Sequence, residues 1–167
     1  MEHLRAGGYT LRPAAESDIG RIVQIYNGNK PFLRHHLGTD RVSPDFLRGE
    51  LAQMEALGFL SCVILDAHTG EIVGVLDYQP GETVYLSLLM LDAGAQGKGA
   101  GTAVFRAFER AMAEKGRQAV RIDVVDDYPG DLTAFWQKLG FSGEKHTLLC
   151  WGGKRSRALV MAKSLAR

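Results

Sequence analysis

The chain has 167 residues, and its 20 lysines and arginines nearly cancel its 19 aspartates and glutamates, leaving a formal charge of +1. That balance excludes a nucleic-acid or anionic-membrane face as its main business. Apolar residues at 46% and charged residues at 23% exclude a disordered chain, and two cysteines, Cys62 and Cys150, are too few for a secreted disulfide framework or a cysteine-based zinc site.

From Met1 to Leu11 the charges of Glu2, His3 and Arg5 interrupt any apolar run, so no signal peptide is read there. No stretch approaches the ~18 uncharged apolar residues of a membrane span. The expectation is one cytoplasmic domain over residues 1–167.

In chain order, Tyr9 to Arg12 is short and β-like. Ser17 or Asp18 can cap a helix that carries Ile19, Ile22, Val23 and Tyr26 on one face. Asn27-Gly28-Asn29 stops it, and Asn27 to Val42 reads as a loop. Ser43-Pro44 opens a second helix, with Phe46, Leu47, Leu51, Met54 and Leu57 at helical spacing until Gly58.

Two strands, Phe59–Leu65 and Glu71–Tyr78, flank the hairpin signal Asp66-Ala67-His68-Thr69-Gly70. Pro80-Gly81 leads to a third, Thr83–Leu91, whose second half is apolar on both faces. The turn from Gly94 to Gly101 opens a helix with Val104, Phe105, Phe108, Ala111 and Met112 inward. Ala119–Val125 is a strand, Asp131 can cap a short helix through Leu139, and two last strands flank Gly152-Gly153-Lys154. Helices interleaved with many strands predict an α/β sandwich around a mixed sheet.

The informative segment is Gln96-Gly97-Lys98-Gly99-Ala100-Gly101-Thr102, between an apolar strand and a helix. Consecutive backbone N–H groups there, with the positive end of a helix dipole, make a cradle for phosphate oxygens. A Walker loop needs Ser or Thr after its lysine, whereas Gly99 follows Lys98. A dinucleotide fingerprint needs a third glycine where Thr102 stands.

Gln96-x-x-Gly99-x-Gly101 instead resembles the pyrophosphate-binding signature of the GNAT superfamily, the acyl-CoA-dependent N-acyltransferases. The order of elements from Glu71 to Phe141 is similar to that family's core. Ala134-Phe135-Trp136-Gln137-Lys138-Leu139-Gly140-Phe141 resembles its recurrent segment after the short helix begins. The resemblance implies a three-layer sandwich, with a mostly antiparallel mixed sheet flanked by helices. It also implies acetyl-CoA as co-substrate, a small-molecule or peptide amine as acceptor, no metal, and C-terminal strands able to pair in a homodimer.

By the same resemblance, main-chain groups of Leu89, Met90 and Leu91 pair with the pantetheine arm. The N–H groups of Gln96, Gly97, Lys98, Gly99, Ala100 and Gly101 receive the pyrophosphate, with Thr102 at the helix start. Lys98 is either an added charge there or a solvated side chain.

Transfer from a thioester to an amine needs a base for the amine proton, a donor to the carbonyl and an acid for the thiolate. Many family members carry a tyrosine acid where this chain has Trp136, and indole N–H is far too weak an acid to replace it. Where several members have a glutamate base, this chain has Tyr85, a poor base at neutral pH. Asp123, at a place where some relatives carry a carboxylate, is the first candidate base; Asp77 is the second, and a water chain is the alternative. Tyr128 is the expected acid.

The segment holding Lys30, Arg34, His35, His36 and Arg41 borders the acceptor in the family, and solvated charge is its plainer reading. Lys154-Arg155-Ser156-Arg157 reads as a solubilising turn, and Cys150 as a small strand residue with no base spaced to activate it. The expected activity is N-acetylation by direct transfer in a ternary complex. The alternatives are a CoA-sensing module without catalysis and an acyltransferase for another acyl group.

Overall fold

The computed structural model describes residues 4–125 and 132–165. Among them lie eight strands: β1 (Leu4–Ala6), β2 (Tyr9–Pro13), β3 (Leu60–Asp66), β4 (Ile72–Gln79), β5 (Thr83–Leu91), β6 (Ala119–Val125), β7 (Ser142–Trp151) and β8 (Lys154–Ser164). They form one sheet in the order β1-β2-β3-β4-β5-β6-β8-β7. Only β5 and β6 run parallel, because a helix rather than a tight turn connects them.

The helices are α1 (Ile19–Gly28), α2 (Lys30–His36), α3 (Pro44–Ala56), α4 (Ala100–Glu114) and α5 (Leu132–Lys138). Two separate buried clusters define the layers. On one face Val104, Phe105, Phe108 and Met112 of α4 meet Leu76, Val84, Leu86, Val120 and Ile122. On the other, Ile22 and Tyr26 of α1, Leu33 of α2 and Leu47 of α3 meet Val63, Val75, Leu88 and Met90. The result is the expected three-layer sandwich with a mixed, mostly antiparallel sheet.

Val84 and Leu86 belong to the first cluster, Leu88 and Met90 to the second, although strict alternation would put all four on one face. A β-bulge explains the reversal. Tyr78 pairs with Leu86 and Asp77 with Leu88, so Ser87 is the extra residue, and its hydroxyl donates to the Asp77 carbonyl at 3.2 Å. This is why the second half of β5 reads as apolar on both sides.

β5 and β6 pair only where Thr83–Tyr85 face Ala119–Arg121. Beyond that point β4 holds β5 as far as Leu91, and β8 holds β6 as far as Val125. The two strands part, leaving a wedge that opens toward the start of α4.

The expected loop from Asn27 to Val42 is corrected in part. Residues Lys30–His36 form α2, with Asn29 before it and Pro31 in its first turn. Its basic and histidine content masked a helix whose buried contact is Leu33. α3 is also less inward than its spacing suggested: Leu47 is fully buried, while Leu57 is 67% exposed at the helix end.

Candidate active site

The turn before α4 is left-handed twice, with φ of +75° at Gly97 and +78° at Gly99. A Cβ at either would meet nothing within 4 Å, so the space in front of them is open and the requirement for glycine is conformational. No side chain caps α4; its N-cap is Gly99, and the first intrahelical bond runs from Ala103 N–H to the Gly99 carbonyl at 3.0 Å. Helix geometry therefore leaves the N–H groups of Ala100, Gly101 and Thr102 without an intrahelical acceptor. At Gly101 a Cβ would sit 3.6 Å from Phe135 and 3.8 Å from Leu91, ordinary contacts that a larger side chain would exceed.

Gln96 holds this turn in place. Its amide donates to Asn29 Oδ1 at 2.8 Å and to the Leu91 carbonyl at 3.0 Å. Asn29 is 9% exposed and donates in turn to the carbonyls of Ile25 at 2.8 Å and Leu91 at 3.1 Å. The end of β5, the end of α1 and the turn are thereby joined. In the sequence Asn29 shows only as a helix stop, because its partners lie 62 and 67 residues away. Lys98 is exposed at the tip of the turn.

The bond from Asp92 N–H to the Val73 carbonyl, at 2.7 Å, sets the phase of the β4–β5 ladder. Counting back in twos, Met90 and Leu88 turn their main-chain groups to β4, and Leu89 and Leu91 turn theirs to the wedge. The Leu91 carbonyl is already taken by Asn29 and Gln96, so the Leu89 N–H and C=O and the Leu91 N–H are the groups that face the opening. Met90 contributes to this edge only through the stretch of backbone it anchors.

Across the wedge, Trp136 packs in an aromatic cluster, 5.6 Å from Phe105 and 5.4 Å from Phe141 between ring centres. The indole thus has a place in the core, where it offers no acid. Phe135 stands beside it at 5.0 Å and borders the opening near Gly101, a contact visible only once α5 is folded against α4.

Alternation along β4, β5 and β6 turns Asp77, Tyr85, Arg121 and Asp123 to the face away from α4. The Arg121 guanidinium grips Asp123 with two contacts of 3.0 Å and lies 5.2 Å over the Tyr85 ring. The Tyr85 hydroxyl also donates to Asp123, whose side chain is 2% exposed. Burial, then the Asp123 charge, raises the Tyr85 phenol well above its ordinary value, so it remains a neutral donor.

Asp77 is 3% exposed. Burial pushes its carboxyl up to about 7, against a smaller opposing effect of a hydrogen bond with Ser61. The phenol of Tyr26 above it is raised by burial and by the Asp77 charge. Tyr128, the expected acid, lies outside the described residues.

The basic segment is largely structural. His36 stacks on Phe32 at 4.2 Å, Phe32 meets Trp151 at 5.6 Å, and Arg34 pairs with Asp40. Trp151 Nε1 donates to Glu50 at 2.7 Å, and Lys154 donates to the His35 carbonyl, so the end of the β7–β8 hairpin rests on α2 and α3. Cys62 is buried, with its thiol pushed up to about 12, and Cys150 is exposed on β7. Among the described residues no group of three or more His, Cys, Asp or Glu side chains is arranged to hold a metal ion. No helix among them is long and apolar enough to cross a membrane.

Solved structures share this arrangement over nearly the whole chain. The acetyltransferase from Salmonella typhimurium that modifies the N-terminal serine of ribosomal protein L7/L12 is 20% identical. It superposes with a TM-score of 0.78, covering 99% of this chain and 100% of its own. The ribosomal-protein-S5-alanine acetyltransferase from Vibrio fischeri is 18% identical, with a TM-score of 0.71 and coverage of 99% and 97%. The spermidine N-acetyltransferase from Vibrio cholerae, solved with CoA and spermine, is 17% identical, with a TM-score of 0.71 and coverage of 95% and 96%. Among curated proteins no sequence relative is found. The acetyltransferase (GNAT) family model matches residues 21–141, the span from α1 through the wedge and the glycine turn to the end of α5. With the turn, the wedge and that match in agreement, the chain belongs to the acetyltransferase (GNAT) family.

Proposed function

We propose that the protein is a cytoplasmic, single-domain N-acetyltransferase. In this reading it transfers an acetyl group from acetyl-CoA to a primary amine of a small molecule or peptide, directly within a ternary complex. The observation that carries it is the uncapped start of α4, with two left-handed glycines, set at the mouth of the β5–β6 wedge. An anion-accepting helix end beside an unpaired strand edge suits a molecule with a pyrophosphate at one end and amides along its arm. The neighbours that acetylate a ribosomal-protein serine or spermidine support an amine acceptor, and their variety names none for this chain.

Gln96 to Gly101 hold the pyrophosphate through main-chain N–H groups, with Thr102 opening the helix. Leu89 and Leu91 pair with the pantetheine amides, and Met90 keeps that edge in register. Bound acetyl-CoA supplies a thioester whose carbon bonds to the amine nitrogen as the C–S bond breaks and its electron pair leaves on sulfur. A wedge-facing N–H, that of Leu89 or Leu91, stabilises charge on the carbonyl oxygen. Asp123 takes the amine proton and Tyr128 returns one to the sulfur. The free edge of β7 is where a second copy would pair.

The Arg121 guanidinium occupies both Asp123 oxygens, and this favours a second reading for the base. Asp77 has a carboxyl raised to about 7, near the working pH of a general base. A pH–rate profile separates the two. A limb rising through about pH 7, present in Asp123→Asn and lost in Asp77→Asn, assigns the base to Asp77. A loss of about 100-fold in kcat confined to Asp123→Asn, with acetyl-CoA affinity kept, assigns it to Asp123.

The primary test is thermal unfolding with acetyl-CoA, CoA, ATP and NADH. A ligand at ~100 times its Kd adds about 2.7 kcal/mol to the folded state. Stabilisation by acetyl-CoA and CoA alone, followed by thiol release with an amine panel, is the expected outcome. A shift with ATP or NADH alone removes the reading, and acetyl-CoA binding without thiol release from any amine leaves a sensor.

A further inference from the structure

At the opposite end of α4 from the glycine turn lies a cavity of about 350 Å³ that the proposed reaction does not use. Pro13, Leu60 and Met112 give it apolar walls, and Tyr78, Lys115 and Arg117 give it polar ones. α4 spans 15 residues, so the cavity is about 20 Å from the turn along the helix axis.

Among the described residues, the only buried side-chain nitrogen or oxygen without a hydrogen-bond partner is Arg117 Nε. A buried donor left unpaired is costly, and more so when it belongs to a charged group. Neither Arg117 nor Lys115 has a carboxylate partner among the described residues, although the chain pairs Arg12, Arg34, Arg48, Arg106 and Arg121 with acidic side chains. Two cations thus converge on a half-apolar hollow with no counter-charge among the described residues. The Tyr78 phenol, raised above its ordinary value chiefly by burial, stays protonated in the same wall. Leu60, 40% exposed, is one of the large apolar side chains this molecule leaves to solvent.

We propose that this cavity binds a small organic monoanion, a carboxylate carrying a short apolar tail. The carboxylate pairs with the Arg117 guanidinium and lies near the Lys115 ammonium, and the tail covers Leu60, Pro13 and Met112. A bare inorganic anion would leave those apolar walls wet, and a neutral amphiphile would bring no negative charge to the two cations. The site is independent of acetyl-CoA and lies outside the wedge.

Isothermal titration of the full chain with hexanoate tests this, with hexan-1-ol and inorganic phosphate as the matched neutral and tailless probes. Wild type is expected to bind hexanoate and neither control. Arg117→Gln is expected to weaken binding about tenfold or more, the loss of a hydrogen bond to a charged group, and Lys115→Gln about threefold. Gly99→Val, at the other end of α4, should leave hexanoate affinity unchanged.

Equal hexanoate affinity in wild type and Arg117→Gln overturns the proposal, as does no binding at all. Hexan-1-ol or phosphate binding as well as hexanoate overturns the carboxylate-and-tail pairing. Loss of hexanoate in Gly99→Val would place it at the glycine turn, which also overturns the proposal. Unfolding curves establish that Arg117→Gln is folded; if it is not, unchanged affinity in Lys115→Gln decides against the site.

Discussion

The scaffold side and the site side of this molecule treat the same polar groups in opposite ways. α3 begins with Ser43, whose hydroxyl accepts from Phe46 N–H at 3.1 Å, and with Pro44 in the first turn. α4 begins with Gly99 and no side-chain cap. Asp18, buried at 5%, receives two bonds from Arg12 at 2.7 and 3.0 Å and one from Ala15 N–H at 2.8 Å. Asp77, buried at 3%, has the Ser61 hydroxyl and no cation among the described residues. The start of α3 and Asp18 have their polar groups matched within the chain, whereas the start of α4 and the Asp77 carboxyl leave groups for something else to match.

The largest expected effect comes from the unmatched carboxyl. The Asp77 pKa is raised in the folded state from 3.8 to about 7, so its contribution to stability is complete below about pH 4 and is lost as pH rises through about 7. The full difference is about 4 kcal/mol at most. Urea unfolding between pH 4 and 8 should show that decline in wild type and a flatter profile in Asp77→Asn. Parallel profiles would mean that Asp77 is satisfied after all.

Next is Gly99→Val, which puts a β-branched residue at φ +78°. Strain and a blocked cradle should together weaken acetyl-CoA binding by about 2–3 kcal/mol, read by titration. Unchanged affinity would make the uncapped helix end a plain turn, and the contrast with α3 would lose its meaning.

Asp18→Asn tests the matched carboxylate. Arg12 holds the Asp18 pKa below its ordinary value, so its contribution is present above the unfolded pKa and lost as pH falls, the reverse of Asp77. The variant should cost about 2 kcal/mol at pH 7 and progressively less as pH falls below the ordinary aspartate range. The smallest effect is Ser43→Ala, with a loss of about 1 kcal/mol in unfolding and no change in acetyl-CoA affinity. A change in affinity there would show that α3 belongs to the site.

Much of this arrangement was legible along the chain because local physics writes it locally. The α4 stripe of Val104, Phe105, Phe108, Ala111 and Met112 is buried as its spacing predicts, and the Asp66–Gly70 turn joins β3 to β4. The short helix at Lys30–His36 was hidden because its buried contact is the lone Leu33 among basic residues. The Ser87 bulge was equally hidden, since a bulge appears only when two strands are laid in register.

The chain's local pattern carries the order of elements apart from α2, the glycines of the turn and the family they resemble, since these depend on neighbours a few residues apart. Tertiary structure decided which groups meet. Gln96 reaches Asn29 across 67 residues, and β5 parts from β6 after Tyr85. Asp77 meets no cation among the described residues, while Asp123 is given one by Arg121. Charge, burial and hydrogen bonding act through space, and the chain folds distant residues into that space only once its layers pack.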